Sequence, residues 1–298
     1  MRALPLLFLL AVQPVVAAEA PPAHDRVYWQ RLVDNDAKLA EGESAAQLLG
    51  ELSQYLGSPD PTLRDSFAYD LSAAWIYRDQ KLSPQELRPF LAEWTGNLKK
   101  GNGEQGTDSV LLRSFSALEL SILAAYEVKA PFLTQAEFDE LLSAALDYLA
   151  AERDVRGYDP DKGWMHSVAH TADLIKFLAR SSHLKPADQG RILSAVAAKI
   201  AATGPLTHGE DERLARAILS LARRADFDTA AFRAWHSEYP AQAKALWTKK
   251  PLDVAGFAGL ENSKHLLTSL YSLLAQIADA SPALVAAREE LLKTLAQL

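Results

Sequence analysis

Helix-start signals recur along this chain, and nothing between them reads as a strand. Ser83-Pro84-Gln85-Glu86 and Thr134-Gln135-Ala136-Glu137 are both capping boxes, in which a hydroxyl and a glutamate satisfy the free N–H groups of a helix start. The first also places proline at the opening helical position, where its missing N–H is not needed. Apolar residues then return at helical spacing. One helix is expected from Pro61 through Phe67, Leu71, Ala74 and Trp75, and one from Ser83 to about Lys99. Thr107 or Asp108 opens another through Val110, Phe115, Leu118 and Ile122, and Thr134 one through Phe138, Leu141, Leu142, Ala145 and Leu149. Later helices are expected across 186–202, 210–224, 230–235, 240–247, 261–278 and 282–297.

No alternating pattern intervenes, so the fold class is all-α. Short turns between helices suggest stacked antiparallel pairs. No repeat of fixed period is present, so the expectation is a degenerate α-solenoid of armadillo or HEAT-like helix pairs, with a closed α/α toroid as the alternative. The loops near 99–107, 202–208 and 248–260 are too short for linkers, which leaves one all-helical domain over 19–298.

The front of the chain reads differently. Arg2, the apolar stretch Leu4 to Val16 and Val16-Ala17-Ala18 before Glu19 form a secretory signal, and the stretch is too short to span a bilayer. Residues 1–18 are therefore expected to be a signal peptide, and the protein periplasmic or, alternatively, secreted. With no cysteine, thiol nucleophiles and thiolate metal sites are excluded. Hydrophobic residues make up 49% of the chain, enough for a core without disulfides. Net charge is −7 and no basic run interleaves with aromatics, so nucleic-acid binding is not expected. Nor is a membrane partner after signal cleavage.

Chemistry concentrates in Asp154 to Asp173, which holds two histidines, four aspartates, Arg156, Tyr158 and Trp164. On a helix His166, His170 and Asp173 stack on one face, opposite an apolar arc of Met165, Val168, Ala172, Ile175, Leu178 and Ala179. Three readings stand. The first is a solvated face with an Asp173–Lys176 pair. The second is a structural bridge from the imidazoles to the Asp154–Asp161 loop, with Arg156 holding its carboxylates. The third is a groove that binds a cation or ligand.

A divalent metal on His166, His170 and Asp173 would need a further ligand from His208, Glu210, Asp211 or Glu212. Ser167 stands where the zincin signature requires glutamate, and Arg156 and Tyr158 rule out an EF-hand loop. Without metal, the histidines and Asp173 could exchange protons. Asp154, Asp159 and Asp161 could supply a carboxylate pair for glycosidic bonds, with Tyr158 and Trp164 stacking on a sugar. No Gly-x-Ser-x-Gly elbow or phosphate-cradling glycine loop is present. His208-Gly-Glu-Asp-Glu-Arg213 and Glu261-Asn-Ser-Lys-His265 read first as helix caps.

At these residues the chain resembles the bacterial domain of unknown function family 2785. The pattern is Arg156-Gly157-Tyr158, then Gly163-Trp164, His166, His170 and Asp173. Asp108-Ser-Val, Arg113-Ser-Phe-Ser116, Glu210-Asp-Glu-Arg-Leu214 and Lys264-His-Leu running into Leu270-Tyr271 extend it. The likeness runs from about Leu63 to the last helices. The export signal departs from a mostly cytoplasmic family, and His265 from the residue expected after the lysine. The resemblance implies an all-helical, repeat-like fold and no activity. The expectation is a module that binds an unknown protein or small-molecule ligand through a polar groove of Asp154, Arg156, Tyr158, Trp164, His166, His170, Asp173 and Glu210. The alternative is a hydrolase, metal-assisted or two-carboxylate, using the same groove.

Overall fold

The computed structural model describes residues 23–298. The expected signal peptide lies outside them. The described residues are mostly helical, as the periodicity requires. Helices α1 (Arg26–Asp34) and α2 (Ala45–Ser53) lead into a continuous helical segment from Thr62 to Arg78. In it, π-helical stretches Thr62–Tyr69 and Ala74–Arg78 flank one α-turn, α3 (Asp70–Ala73). The expected Pro61 helix is therefore present but wound wide, a form concentrated at functional positions.

Next come α4 (Pro84–Asn97), α5 (Ser109–Lys129), α6 (Gln135–Ala151), α7 (Ser167–Leu178) and α8 (Pro186–Ala201). The chain closes with α9 (Glu210–Ala222), α10 (Thr229–Ser237), α11 (Tyr239–Thr248), α12 (Val254–Ala275) and α13 (Pro282–Leu295). Both capping boxes form as read, at Ser83/Glu86 and Thr134/Glu137.

Packing follows chain order. Helix α5 lies against α7, α7 against α9, and α9 against α12, while α6 and α10 both pack on α8. Helix α5 is long and apolar enough to cross a membrane, but 89% of its apolar window is buried in the protein, so it is a core helix. Trp29, Trp75 and Trp94 are fully buried. The indole N–H of Trp75 donates to Ala37 O and that of Trp94 to Ser53 Oγ, so two of these large side chains leave no unmet donor.

Three sequence expectations change. Helix α12 starts at Val254, not Glu261, because the Asp253 side chain accepts from Gly256 N. Gly256 and Gly259 hide that start in the sequence, glycine being a poor helix former. A Cβ on Gly259 would sit 2.8 Å from Ala201 O, so the glycine lets α12 close on the end of α8. Glu261 to His265 then lies inside a helix instead of capping one. There Asn262 donates to the carbonyls of Ile200, Thr203 and Gly204 and accepts from Leu206 N, tying down the α8–α9 loop. Finally, Met165, expected on the apolar arc of the helix, precedes α7, whose N-cap is His166. A short antiparallel hairpin, β1 (Tyr158–Asp159) and β2 (Gly163–Trp164), comes just before it.

Candidate functional site

The segment after α6 is held by two ion pairs at different depths. Deepest, Arg113 on α5 grips Glu152 through Nε at 2.6 Å and Nη2 at 3.2 Å, with side-chain exposures of 0% and 2%. Glu152 Oε1 in turn accepts from Asp154 N at 2.9 Å. Above it, Arg156 forks onto the Asp154 carboxylate through Nε at 2.8 Å and Nη2 at 2.6 Å and also reaches Thr107 O. Asp154 accepts a further bond from Gly106 N. Burial alone would raise the Asp154 carboxyl, but these donors outweigh it and hold it below its usual value. The loop before α5 is thereby fixed to the segment after α6, and a cleft of about 470 Å³ opens between them. Asp154, Arg156, Gly157, Tyr158, Arg153 and His208 are among the residues that line it.

The hairpin forms the next wall. Asp159 Oδ1 accepts from the N–H groups of Asp161 and Lys162, closing the turn. Arg64, fully buried on the π-helical stretch, donates to Lys162 O at 2.7 Å and to Ser58 O at 2.8 Å. Gly163 (φ +73°) faces Arg64 and Pro61 so closely that a side chain there would strain both backbone and contact. Asp65, 2.9 Å from Arg64, is poorly aligned with it. Burial prevails over that pairing and pushes the Asp65 carboxyl up to about 6.

From the hairpin a row of rings runs inward. Tyr158 (52% exposed) meets Trp164 (40% exposed) edge to face at 5.0 Å. Trp164 stacks on His166 at 4.3 Å, His166 meets His170 at 5.7 Å, and His170 meets Phe115 at 5.0 Å. The Arg64 guanidinium lies over Phe115 at 4.5 Å. His166 makes this possible by adopting a left-handed conformation (φ 47°) as the N-cap of α7, a geometry uncommon outside glycine and concentrated at functional positions. Its Nε2–H donates to His208 O at 2.9 Å. The His208 ring lies directly on Gly157, where a Cβ would overlap it.

His170 has a definite tautomer. Ser114 Oγ gives its hydrogen to Met165 O, so His170 Nδ1–H must donate to Ser114 Oγ, 2.8 Å away. Burial, then the neighbouring His166 and Arg213, hold His170 well below its ordinary value and therefore neutral. His166 is lowered for the same first reason. A buried neutral histidine leaves stability intact above its unfolded pKa near 6.5 and erodes it below, as the unfolded chain takes up the proton first. We expect wild-type stability to fall relative to His170→Gln below pH 6.5, at no more than about 1.4 kcal/mol per pH unit. Urea midpoints at pH 7 and pH 5.5 measure it. The difference isolates His170 from Asp65 and Glu119, whose burial-raised carboxyls act in the opposite sense. Equal pH dependence of the two proteins would refute the assignment.

The structure thus divides the expected groove. Asp154, Arg156 and Tyr158 line the cleft, and Trp164 and His166 adjoin it through ring contacts. His170 lies one layer below, and Glu210 lies beneath His208, accepting from its N–H at 2.7 Å. Asp173 is elsewhere: it bridges α7 to α9, accepting from Lys176 at 2.7 Å and pairing with Arg213.

A solvated face is ruled out, because His166, His170 and Asp173 are 8%, 7% and 4% exposed, covered by the neighbours of α7. The three do not converge on one ion. Among the described residues no group of three or more such ligands does, because His166 turns to His208 O and Asp173 to two cations. The imidazoles bridge to the His208 loop and to α5, not to the Asp154–Asp161 loop, and Arg156 takes Asp154 alone of that loop's carboxylates. Sequence reasoning missed Arg153, Arg64 and Glu152, and had Arg113 and Ser114 only as part of the family pattern, not as members of this assembly. An arginine set between Leu63 and Phe67 in an apolar helical period was the one available sign of Arg64.

Residues 98–272 match the family described as Protein of unknown function (DUF2785). That span contains the cleft, the hairpin, both histidines and Asn262, and leaves out Arg64. No curated protein and no solved structure matches the chain.

Proposed function

The chain belongs to the DUF2785 family, and from that premise, which supplies no activity, we propose that it is a small-molecule binding module. The observation that carries this is exposed Tyr158 in the lining of a 470 Å³ cleft, with exposed Trp164 edge-on against it, both set on a rigid base. Two large rings kept in water at an energetic cost, yet immobilised from beneath by His166 and Arg64, are preorganised to stack on a flat or pyranose face. Arg153 lines the same cleft, exposed and with no side-chain partner among the described residues. It favours a ligand that also bears an acidic group. Of the hydrolase alternative's three carboxylates, Asp154 is committed to Arg156 and Asp159 to the turn N–H groups, while Asp161 is not among the residues lining the cleft.

The finer architecture belongs to the same proposal. The succession α5, α7, α9, α12 with α6, α8 and α10 behind supports a solenoid-like stack, and the leader supports export to the periplasm. Titration with sugar acids, neutral sugars and aromatic carboxylates, followed by tryptophan fluorescence, tests the binding. An acidic ring compound is expected to bind, about tenfold more weakly in Trp164→Ala, and Arg153→Ala is expected to lose the preference for acid over neutral sugar. If no compound binds, or Trp164→Ala binds as wild type does, the proposal fails.

A further inference from the structure

Far along the chain from the cleft, the α11–α12 connection exposes apolar side chains that a soluble surface normally hides. Trp247 is 57% exposed, Leu252 44% and Val254 75%. Pro251 and Ala255 are exposed beside them. The inner face of α11 is satisfied, since Ala243 and Leu246 pack with Leu260 and Phe257. Trp247 touches that cluster only edge-on, through Phe257 at 5.5 Å. Lys244 shares the outer stripe of α11 with Trp247, three residues on, and Lys249 and Lys250 follow, all exposed. The only acid among them is Asp253, paired with Lys249 at 2.7 Å. A chain of net charge −7 thus carries a local cationic excess around its most exposed indole.

We infer that this connection is a peripheral docking site for an anionic lipid surface. Tryptophan beside leucine and valine, ringed by lysines with long apolar stems, suits the headgroup boundary. There the rings and branches enter the acyl edge while the ammonium groups stay with the phosphates. A protein partner fits less well, because the centres of protein interfaces are depleted in lysine. It departs from the expectation of no membrane partner after signal cleavage.

Co-sedimentation of the purified protein with vesicles tests it, using phosphatidylcholine alone and phosphatidylcholine mixed with phosphatidylglycerol. Binding is expected only to the anionic vesicles and is expected to weaken with salt. Lys249→Glu and Lys250→Glu together are expected to weaken it more than twentyfold, at about fivefold for each positive charge removed. Trp247→Ser with Leu252→Ser is expected to abolish it, while Val27→Ser, on α1, leaves it unchanged. All these side chains are exposed, and unchanged thermal melting confirms that the variants fold. Absence of vesicle binding, equal binding to both vesicle types, or binding indifferent to the two double variants overturns the inference. Self-association that Trp247→Ser abolishes, without vesicle binding, assigns the patch to a second copy instead.

Discussion

Arg113→Met is expected to destabilise the protein by about 3–5 kcal/mol, the usual consequence of removing one partner from a buried ion pair. Neither Arg113 nor Glu152 has water to fall back on, at 0% and 2% side-chain exposure. The guanidinium also donates to Lys100 O at 3.0 Å and Ser109 Oγ at 2.9 Å, so its loss leaves acceptors unmet on three segments. Urea unfolding at pH 7 measures the change, and a loss below about 1 kcal/mol would show that water, or the buried Lys199 ammonium that already donates to Glu152 O, takes over. Arg113→Met combined with Glu152→Gln is expected to recover part of the loss, because the stranded charge is then gone. The damage should also reach the cleft, since Glu152 holds Asp154 N and Asp154 holds Arg156.

Gly157→Ala is expected to cost about 1–3 kcal/mol as an overpacking substitution and to disable the cleft. The added methyl would overlap the Cγ, Nδ1 and Cβ of His208, and although the ring can turn about χ1, the Cβ, 2.7 Å away and fixed to the backbone, cannot. The loop that carries His208 must therefore shift, and with it the carbonyl that receives the His166 proton. Loss of that bond frees the imidazole on which Trp164 stacks. Denaturation midpoints and Trp164 emission report the two effects separately. His208→Gly should make Gly157→Ala nearly harmless, because the whole obstructing side chain, Cβ included, is removed. Should the double variant remain as unstable as Gly157→Ala alone, the obstruction lies elsewhere.

Much of the secondary structure was legible because its signals are local. A capping box is complete within four residues, and Ser83/Glu86 and Thr134/Glu137 form their helices for the reason the sequence suggests. The Asp154–Arg156 pair was equally legible, its partners being two residues apart. Helix α12 was misread by seven residues because Gly256 and Gly259 serve tertiary contact, and so contradict local propensity. The polar face of His166, His170 and Asp173 was misjudged for a related reason. A helical wheel separates polar from apolar residues, but it cannot show that α7 is covered on both sides. There the polar residues become buried bonds to Ser114, the His208 carbonyl and Arg213.

Amino-acid order alone determined that the chain is helical and where most helices begin, and it drew attention to the candidate residues between Asp154 and Asp173. Only the tertiary structure decided which of those residues act together. Arg64 meets Lys162 across 98 residues of chain, Gly106 meets Asp154 across 48, and His208 meets His166 across 42. Such meetings depend on the packing of whole helices, whose buried area outweighs any preference of the residues that are brought together.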